Sequence, residues 1–441
     1  MRGHRLSYIN AGSIQIRGLR VLPTTIRKLF TGRRMFIFLF ACVLSYALEH
    51  LAEHYLAGEK GPSIRESIFN VGASYQRLVT SWPRTLVPRY TALVTIDPDN
   101  DPFAVSLQNT CEQRAMMADL LDRLAQHAPA VIVIDKYFGA TTCERNPATT
   151  LRLRETLRRV SQQIPVIVGV FVPREEQRKA AAGERPRLHA ALALVNGGKL
   201  SRGLVNLDVD SRKVAMGWDV LEGDKVESVP TIALQAALSY DTELFAKYPL
   251  LAKLAQSHVH PYMSMIQAAR FATIPAGRFL CGSNLSGNGD MEWCKRQPTA
   301  PGPEYVHGRV VVLGELHAMD EHQTILGPLA GLVLQANYIE ALLDERYFQP
   351  APLWIDYLVG FFFFVAVELS LLQRNMLVSL LWVTASIAVT FVLLSVVARY
   401  LAYYVSPATF SVLVLALNLI FWIRERIMHK SEARDEWSSK F

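Results

Sequence analysis

The chain has 441 residues, 51% of them hydrophobic and only 19% charged, a balance too apolar for an ordinary soluble protein. Its formal net charge of +7 sits at the ends: residues 1–34 hold eight Lys and Arg and no acid, and residues 424–441 hold five bases against four acids. The charge therefore reports membrane orientation and gives no reason to expect nucleic acid as a partner.

In chain order, residues 1–34 read as a basic cytoplasmic N-terminus. Met35 to Leu48 is apolar for 14 residues, ~21 Å of helix against a hydrocarbon core of ~30 Å. One reading is an uncleaved anchor over 35–55, with Glu49, His50 and Glu53 at headgroup level. The other is a cleaved signal peptide, with Ser45-Tyr46-Ala47 as its small-x-small site. Both leave residues 56–352 outside the cytoplasm.

Ser63 with Glu66 has the form of a capping box, and Ile64, Ile68, Val71, Tyr75 and Leu78 follow as one apolar seam. That seam packs on its own domain in one reading and forms a homodimer contact beside the membrane in the other. Strand and helix signals then alternate: Ala92 to Asp97, a helix over Glu112 to His127, Ala130 to Asp135, a helix over Thr149 to Gln162, and Pro165 to Val172. Continuous Val/Ile strands separated by helices predict an α/β domain, its mostly parallel sheet covered by helices on both faces. Asp97 and Asp135 end their strands, where open α/β sheets bind ligands, which makes both candidates for a binding crevice or simply loop caps.

Arg174 to Arg187 reads as a charged, solvated excursion, Gly203 to Asp208 with Lys213 to Val220 as a hairpin, and Pro230 to Tyr240 as a short helix. The Gly/Asn-rich loop Gly282 to Asp290 lacks the Lys-Ser/Thr of a phosphate loop. Arg309 to Gly314 reads as a last buried strand, and Gly327 to Leu343 leads into a helix. Cys111, Cys143, Cys281 and Cys294 all fall in the exported part with no metal-site spacing. Two disulfides are expected, Cys281 with Cys294 and Cys111 with Cys143, against the alternative of four free thiols.

Leu353 to Leu372, Met376 to Ala398 and Tyr403 to Ile423 are each long enough to cross a bilayer. Together they form an all-α membrane part over 353–423, joined to the single N-terminal span. Arg374 and the tail bases Arg424, Arg426 and Lys430 belong on the cytoplasmic side, which makes 424–441 a short cytoplasmic tail. Glu368, inside the first of these spans, faces a helix partner or snorkels to the interface.

These stretches resemble the CHASE2 family of extracytoplasmic sensory domains of bacterial membrane receptors. The closest likeness is Gly308-Arg309-Val310-Val311-Val312-Leu313-Gly314, then Asp320 with Thr324, then Gly331 to Asn337 and Leu342-Leu343; Asp97 and Asp135 match two earlier aspartate-ended strands. Asp97 leads into Pro98-Asp99-Asn100, and Ile325 stands where the family usually has Pro. The resemblance implies a sensor in a bacterial inner membrane, multi-pass, with its large domain in the periplasm. It adds Asp320, Thr324 and Asn337 to the ligand-binding candidates.

Such domains are commonly joined to a cytoplasmic cyclase or kinase, and the 18 residues after Ile423 are too few for one. The expected function is therefore a sensor of an unknown small-molecule or protein signal that acts through a separate signalling protein. Two other functions compete with it. One is an envelope scaffold. The other is a metal-dependent periplasmic enzyme built on His317, Asp320 and His322. Gly-x-Ser-x-Gly, HExxH and phosphate-loop motifs are absent from the sequence, so the reading is of a protein that is no enzyme and takes no cofactor.

Overall fold

The structure, a computed structural model, describes residues 39–40, 43, 73–80, 86–97, 99–105, 110–138, 147–173, 175–176, 185–189, 199–206, 212–257, 259–281, 293–294, 301–316, 320–371 and 376–405. These fall into two compact units: Tyr55–Ala351 together with Phe391–Val405, and a second containing Pro352–Thr390. Several expectations concern residues outside the description. They are the basic N-terminus, nearly all of the 35–55 anchor, the capping box at Ser63, most of the charged excursion, Cys143, His317, the Gly-rich loop, most of the third C-terminal span and the tail.

The first unit is built on a six-stranded, all-parallel sheet. Its strands are β1 (Thr91–Ile96), β2 (Val131–Tyr137), β3 (Val166–Val170), β4 (Leu200–Leu204), β8 (Thr273–Pro275) and β9 (Val310–Glu315), in the order β4-β3-β2-β9-β1-β8. Strand residues alternate between two cores, as a pleat with both faces covered requires. Val131, Val133, Val310 and Val312 face Leu332, Leu334 and Ile232 on one side. Ile132, Ile134, Val311 and Leu313 face Met117, Leu121 and Leu157 on the other. Helices α2 (Thr110–Gln126) and α3 (Pro147–Gln163) cover that second side, with α1 the helical stretch 73–80 earlier in the chain.

The first face carries α4 (Ile232–Tyr240), N-capped by Thr231, whose hydroxyl accepts from the Leu234 amide, and α5 (Gly331–Leu343). All thirteen residues of α5 are buried. Its one acid, Glu340, is 1% exposed and accepts hydrogen bonds from the Arg89, Tyr90 and Thr91 amides and the Thr91 hydroxyl. A buried carboxylate tolerates such a place when surrounded by donors, and here it pins the entry to β1 onto α5.

Two sequence readings shift. Gly203 to Asp208 does not start a hairpin. Leu200–Leu204 instead joins the main sheet beside β3, because Gly203 packs against the backbone of Ile232 on α4. The hairpin is β5 (Gly217–Glu222) with β6 (Lys225–Pro230). In α1, Tyr75 and Val79 are buried while Leu78 is 50% exposed, so the inward stripe is Ala73, Gln76 and Val79 with Tyr75 rather than one running to Leu78.

A second antiparallel pair joins β10 (Glu321–Thr324) to β11 (Gly327–Ala330). Strand β12 (Tyr347–Pro350) pairs antiparallel with β7 (Tyr262–Met263) and parallel with β13 (Tyr403–Tyr404). Beyond the sheets, Leu353–Leu371 forms helix α6 and Met376–Leu401 forms helix α7, where the first two C-terminal spans are expected. Among the described residues one window, Thr384–Leu401, is long and apolar enough to cross a membrane. Glu368 lies on α6, and its side chain is outside the description.

Glu340→Ala should destabilise the first unit by about 3 kcal/mol, because it strips buried amides of their acceptor at once. Glu340→Gln should cost less, since one acceptor oxygen remains. Denaturant unfolding of the two variants beside wild type measures both, and equal stability of Ala and wild type would contradict the pinning role.

Candidate functional site

The sheet order creates a switch point. Strand β9 arrives last in the chain yet lies between β1 and β2, and its connection leads to α5 on one face while those leaving β1 and β2 lead to α2 and α3 on the other, so the connections diverge at the carboxyl edge around β9. Asp97 follows β1, Asp135 and Lys136 lie near the end of β2, and Gly314 and Glu315 end β9.

The pleat sorts these residues onto two faces. On the α2 face, the Lys136 ammonium is 2.8 Å from Glu315 Oε1, and the Gln113 amide donates to the same oxygen at 2.7 Å. Burial lowers the Lys136 pKa and the Glu315 carboxylate opposes that shift, so the two charges satisfy one another. Glu315 Oε2 is buried and has no partner.

On the α5 face, Asp135 and Leu332 meet over Gly314: a Cβ on that glycine would be 2.9 Å from Leu332 Cδ1 and 3.3 Å from Asp135 Cβ. The Asp135 side chain is part-exposed, with protein crowded around its carboxyl. Loss of hydration, with the nearby Asp320 charge second, pushes its pKa up to about 7. Asp320 lies against the first turn of α5, where a side chain at Gly331 would overlap its carboxylate. Its Oδ1 is 3.3 Å from His322 Nε2. Asp320 thus lies where the N-terminus of α5 favours a negative charge. The arrangement is two neighbouring carboxyl groups, of which Asp135 gains or loses a proton near neutrality.

The remaining candidates have structural tasks. Asp97 accepts from the Asp99 amide at 3.1 Å and the Asn100 side chain at 2.8 Å, closing its own turn. The Thr324 hydroxyl donates to Gly327 O at 2.7 Å and accepts from the Leu326 amide, closing the β10–β11 turn. Asn337, fully buried, bridges both backbone groups of Ile266. The structure therefore brings Asp135 and Asp320 together and uses Asp97, Thr324 and Asn337 elsewhere. Among the described residues no group of three or more His, Cys, Asp and Glu could hold a metal ion. Asp320 and His322 are paired, and His317 lies outside the description.

Sequence reasoning missed Asp101. It is 2% exposed and accepts from the Phe103 amide at 3.0 Å and the Gly277 amide at 2.6 Å; burial raises its pKa. A side chain at Gly277 would overlap that carboxylate. The expected Cys281–Cys294 disulfide is present, with Cα atoms 6.0 Å apart. It holds Trp293 where its indole donates to Asn100 O at 3.0 Å and its ring meets Phe103 edge-on. The loop after β1 is thereby clamped from two directions. Cys111 is also disulfide-bonded. The signal for Lys136 and Glu315 was their matching place just beyond two strands, readable only once those strands are known to be neighbours.

Residues 64–370 match the CHASE2 domain family. The chain belongs to that family. CHASE2 domains are extracytoplasmic sensory domains of membrane receptors, so the α/β unit is a sensory domain. No curated protein and no solved structure matches the chain.

The raised Asp135 pKa has a sign. The carboxyl holds its proton to about pH 7 in the folded state but only to about 4 when unfolded. The folded state therefore binds the extra proton between these values, and this group's contribution to stability falls as pH rises from 4 to 7 and is flat above. Asp135→Asn should be more stable than wild type at pH 8, by about 2 kcal/mol after discounting for its open surface. The gain should fade towards pH 5. Melting curves of both proteins at three pH values measure this, and a gain that is constant with pH would contradict it.

Proposed function

We propose that this CHASE2 protein is a membrane-held sensor that reads its signal at the carboxyl edge of the parallel sheet, around Asp135 and Asp320, and passes its state to a separate signalling protein. The observation that carries this reading is Asp135 itself: a part-exposed carboxyl crowded by protein at the switch point, with no hydrogen bond or ion pair among the described residues, beside a second carboxylate. A group kept only for stability would be paired, as Lys136 and Glu315 are on the opposite face. Proteins tolerate a perturbed, unpartnered acid in a cleft where a ligand or proton supplies the missing partner.

The family supports a sensory role, and the apolar helices after Pro352 support a multi-pass topology with the sensory domain on the outer side of a bacterial inner membrane. Edge carboxylates suit a signal that brings hydrogen-bond donors or positive charge.

Thermal-shift screening of the full chain in detergent, against small solutes and envelope peptides, tests the site. A signal molecule should raise Tm in wild type and lose at least tenfold in apparent affinity in Asp320→Asn and Asp135→Ala. A compound that binds all three proteins equally would move the site elsewhere. Affinity purification from native membranes tests the partner, with a cyclase, kinase or other signalling protein as the expected companion. Recovery of envelope structural proteins alone would favour the scaffold.

A further inference from the structure

The joint after α7 is built into the sensory domain. Ala402 sits at φ +53, in the left-handed region that a non-glycine residue enters only when its surroundings hold it there. That turn sends the chain out of the helix and into β13. The Gln349 amide donates to Ala402 O and the Ala351 amide to Tyr404 O, both at 2.9 Å. Strand β12 carries these bonds on one edge and β7 on the other, so β7, β12 and β13 form one three-stranded sheet.

Side chains lock the joint from a second direction. The Tyr75 hydroxyl of α1 donates to Val405 O at 2.8 Å in a buried bond, and its ring packs against Phe391 and Tyr404, each 5.9 Å away. Tyr404 packs on Tyr262 of β7 with ring centroids 4.1 Å apart, and the Lys213 ammonium lies over the Tyr262 ring, 5.0 Å from its centroid. Gln76, fully buried next to Tyr75, donates to Met263 O at 2.7 Å and Arg212 O at 2.9 Å. The last eleven residues of α7 and the strand after it therefore belong to the same compact unit as the sheet.

We infer that this joint is a second, non-covalent attachment between the sensory domain and its membrane helices, through which a change in the domain moves α7. The covalent link at Ala351 to Leu353 leads into α6, whereas the β7–β12–β13 sheet grips the far end of the next helix. A shift of β7 or α1 changes the position of β13, and β13 is joined through one strained residue to α7. Because α7 is a continuous helix from Met376 to Leu401, displacement at its end travels along it, since helices resist bending without a Pro or Gly break. This inference rests on α7 being a span, as read above.

Hydrogen exchange on the full chain in lipid nanodiscs tests it without a ligand, reading the peptide that contains Gln349 and Ala351. In wild type these amides should be protected like those of β1. Tyr75→Phe, which removes one hydroxyl and keeps the ring, should speed their exchange about tenfold. Gln76→Ala touches neither β12 nor β13, and it should produce a comparable loss through β7, with β1 protection showing that the fold is intact. Unprotected Gln349 and Ala351 in wild type would overturn the attachment. Unchanged exchange there in Gln76→Ala, with β7 itself loosened, would overturn the transmission. Labelling of Arg399→Cys by a membrane-impermeant maleimide from the outer side checks the span separately, so a failed topology is distinguished from a failed coupling.

Discussion

Strand β9 has to enter the sheet between two strands made long before it, placing Val310 opposite both Thr91 and Val131. The gain is large, because Val310, Val311, Val312 and Leu313 are all fully buried. The loop-closure cost is also large, since every one of these pairings is remote in sequence. The Glu340 carboxylate and α5 hold the entry to β1 in the position that leaves a slot for β9. The crowding of Asp135 and the contact of α5 with the edge both follow from that insertion.

The same edge shows two electrostatic solutions one residue apart. Asp135 and Lys136 are neighbours in the chain, and the pleat sends them to opposite faces. Lys136 meets the Glu315 carboxylate, which balances its charge and also accepts from the Gln113 amide. Asp135 meets Leu332, Gly314 and the field of Asp320, and among the described residues none gives its carboxyl a hydrogen bond. Its protonation near neutral pH is the consequence of that one-sided surrounding. The clamped loop after β1, with Asp101 and the Cys281–Cys294 bridge, keeps a neighbouring wall of the edge rigid.

At the other end of the domain the chain meets its apolar helices twice, at Ala351 and again at Ala402 to Val405. Aromatic rings dominate this second meeting, with Tyr404 packed against both Tyr75 and Tyr262. Tyr offers broad apolar area together with a hydroxyl that bonds backbone. That combination suits a joint that must be firm.

The α/β class, the parallel strands at β1, β2, β3 and β9, the Cys281–Cys294 bridge and the apolar helices at 353 and 376 were legible in the sequence. Each rests on local pattern: unbroken Val/Ile runs, apolar length, and cysteines flanking a short loop. The family was legible from the run Gly308 to Gly314 and the residues that follow it. Other features were decided by tertiary structure, because they depend on which remote strands become neighbours. Sheet order separated Asp97 from the Asp135 and Asp320 pair, and close packing on α4 turned Gly203 from a hairpin residue into part of the main sheet. Tyr403 and Tyr404, apolar enough to begin a span by composition, became a strand instead, because the edge of β12 offered backbone hydrogen bonds that composition alone cannot reveal.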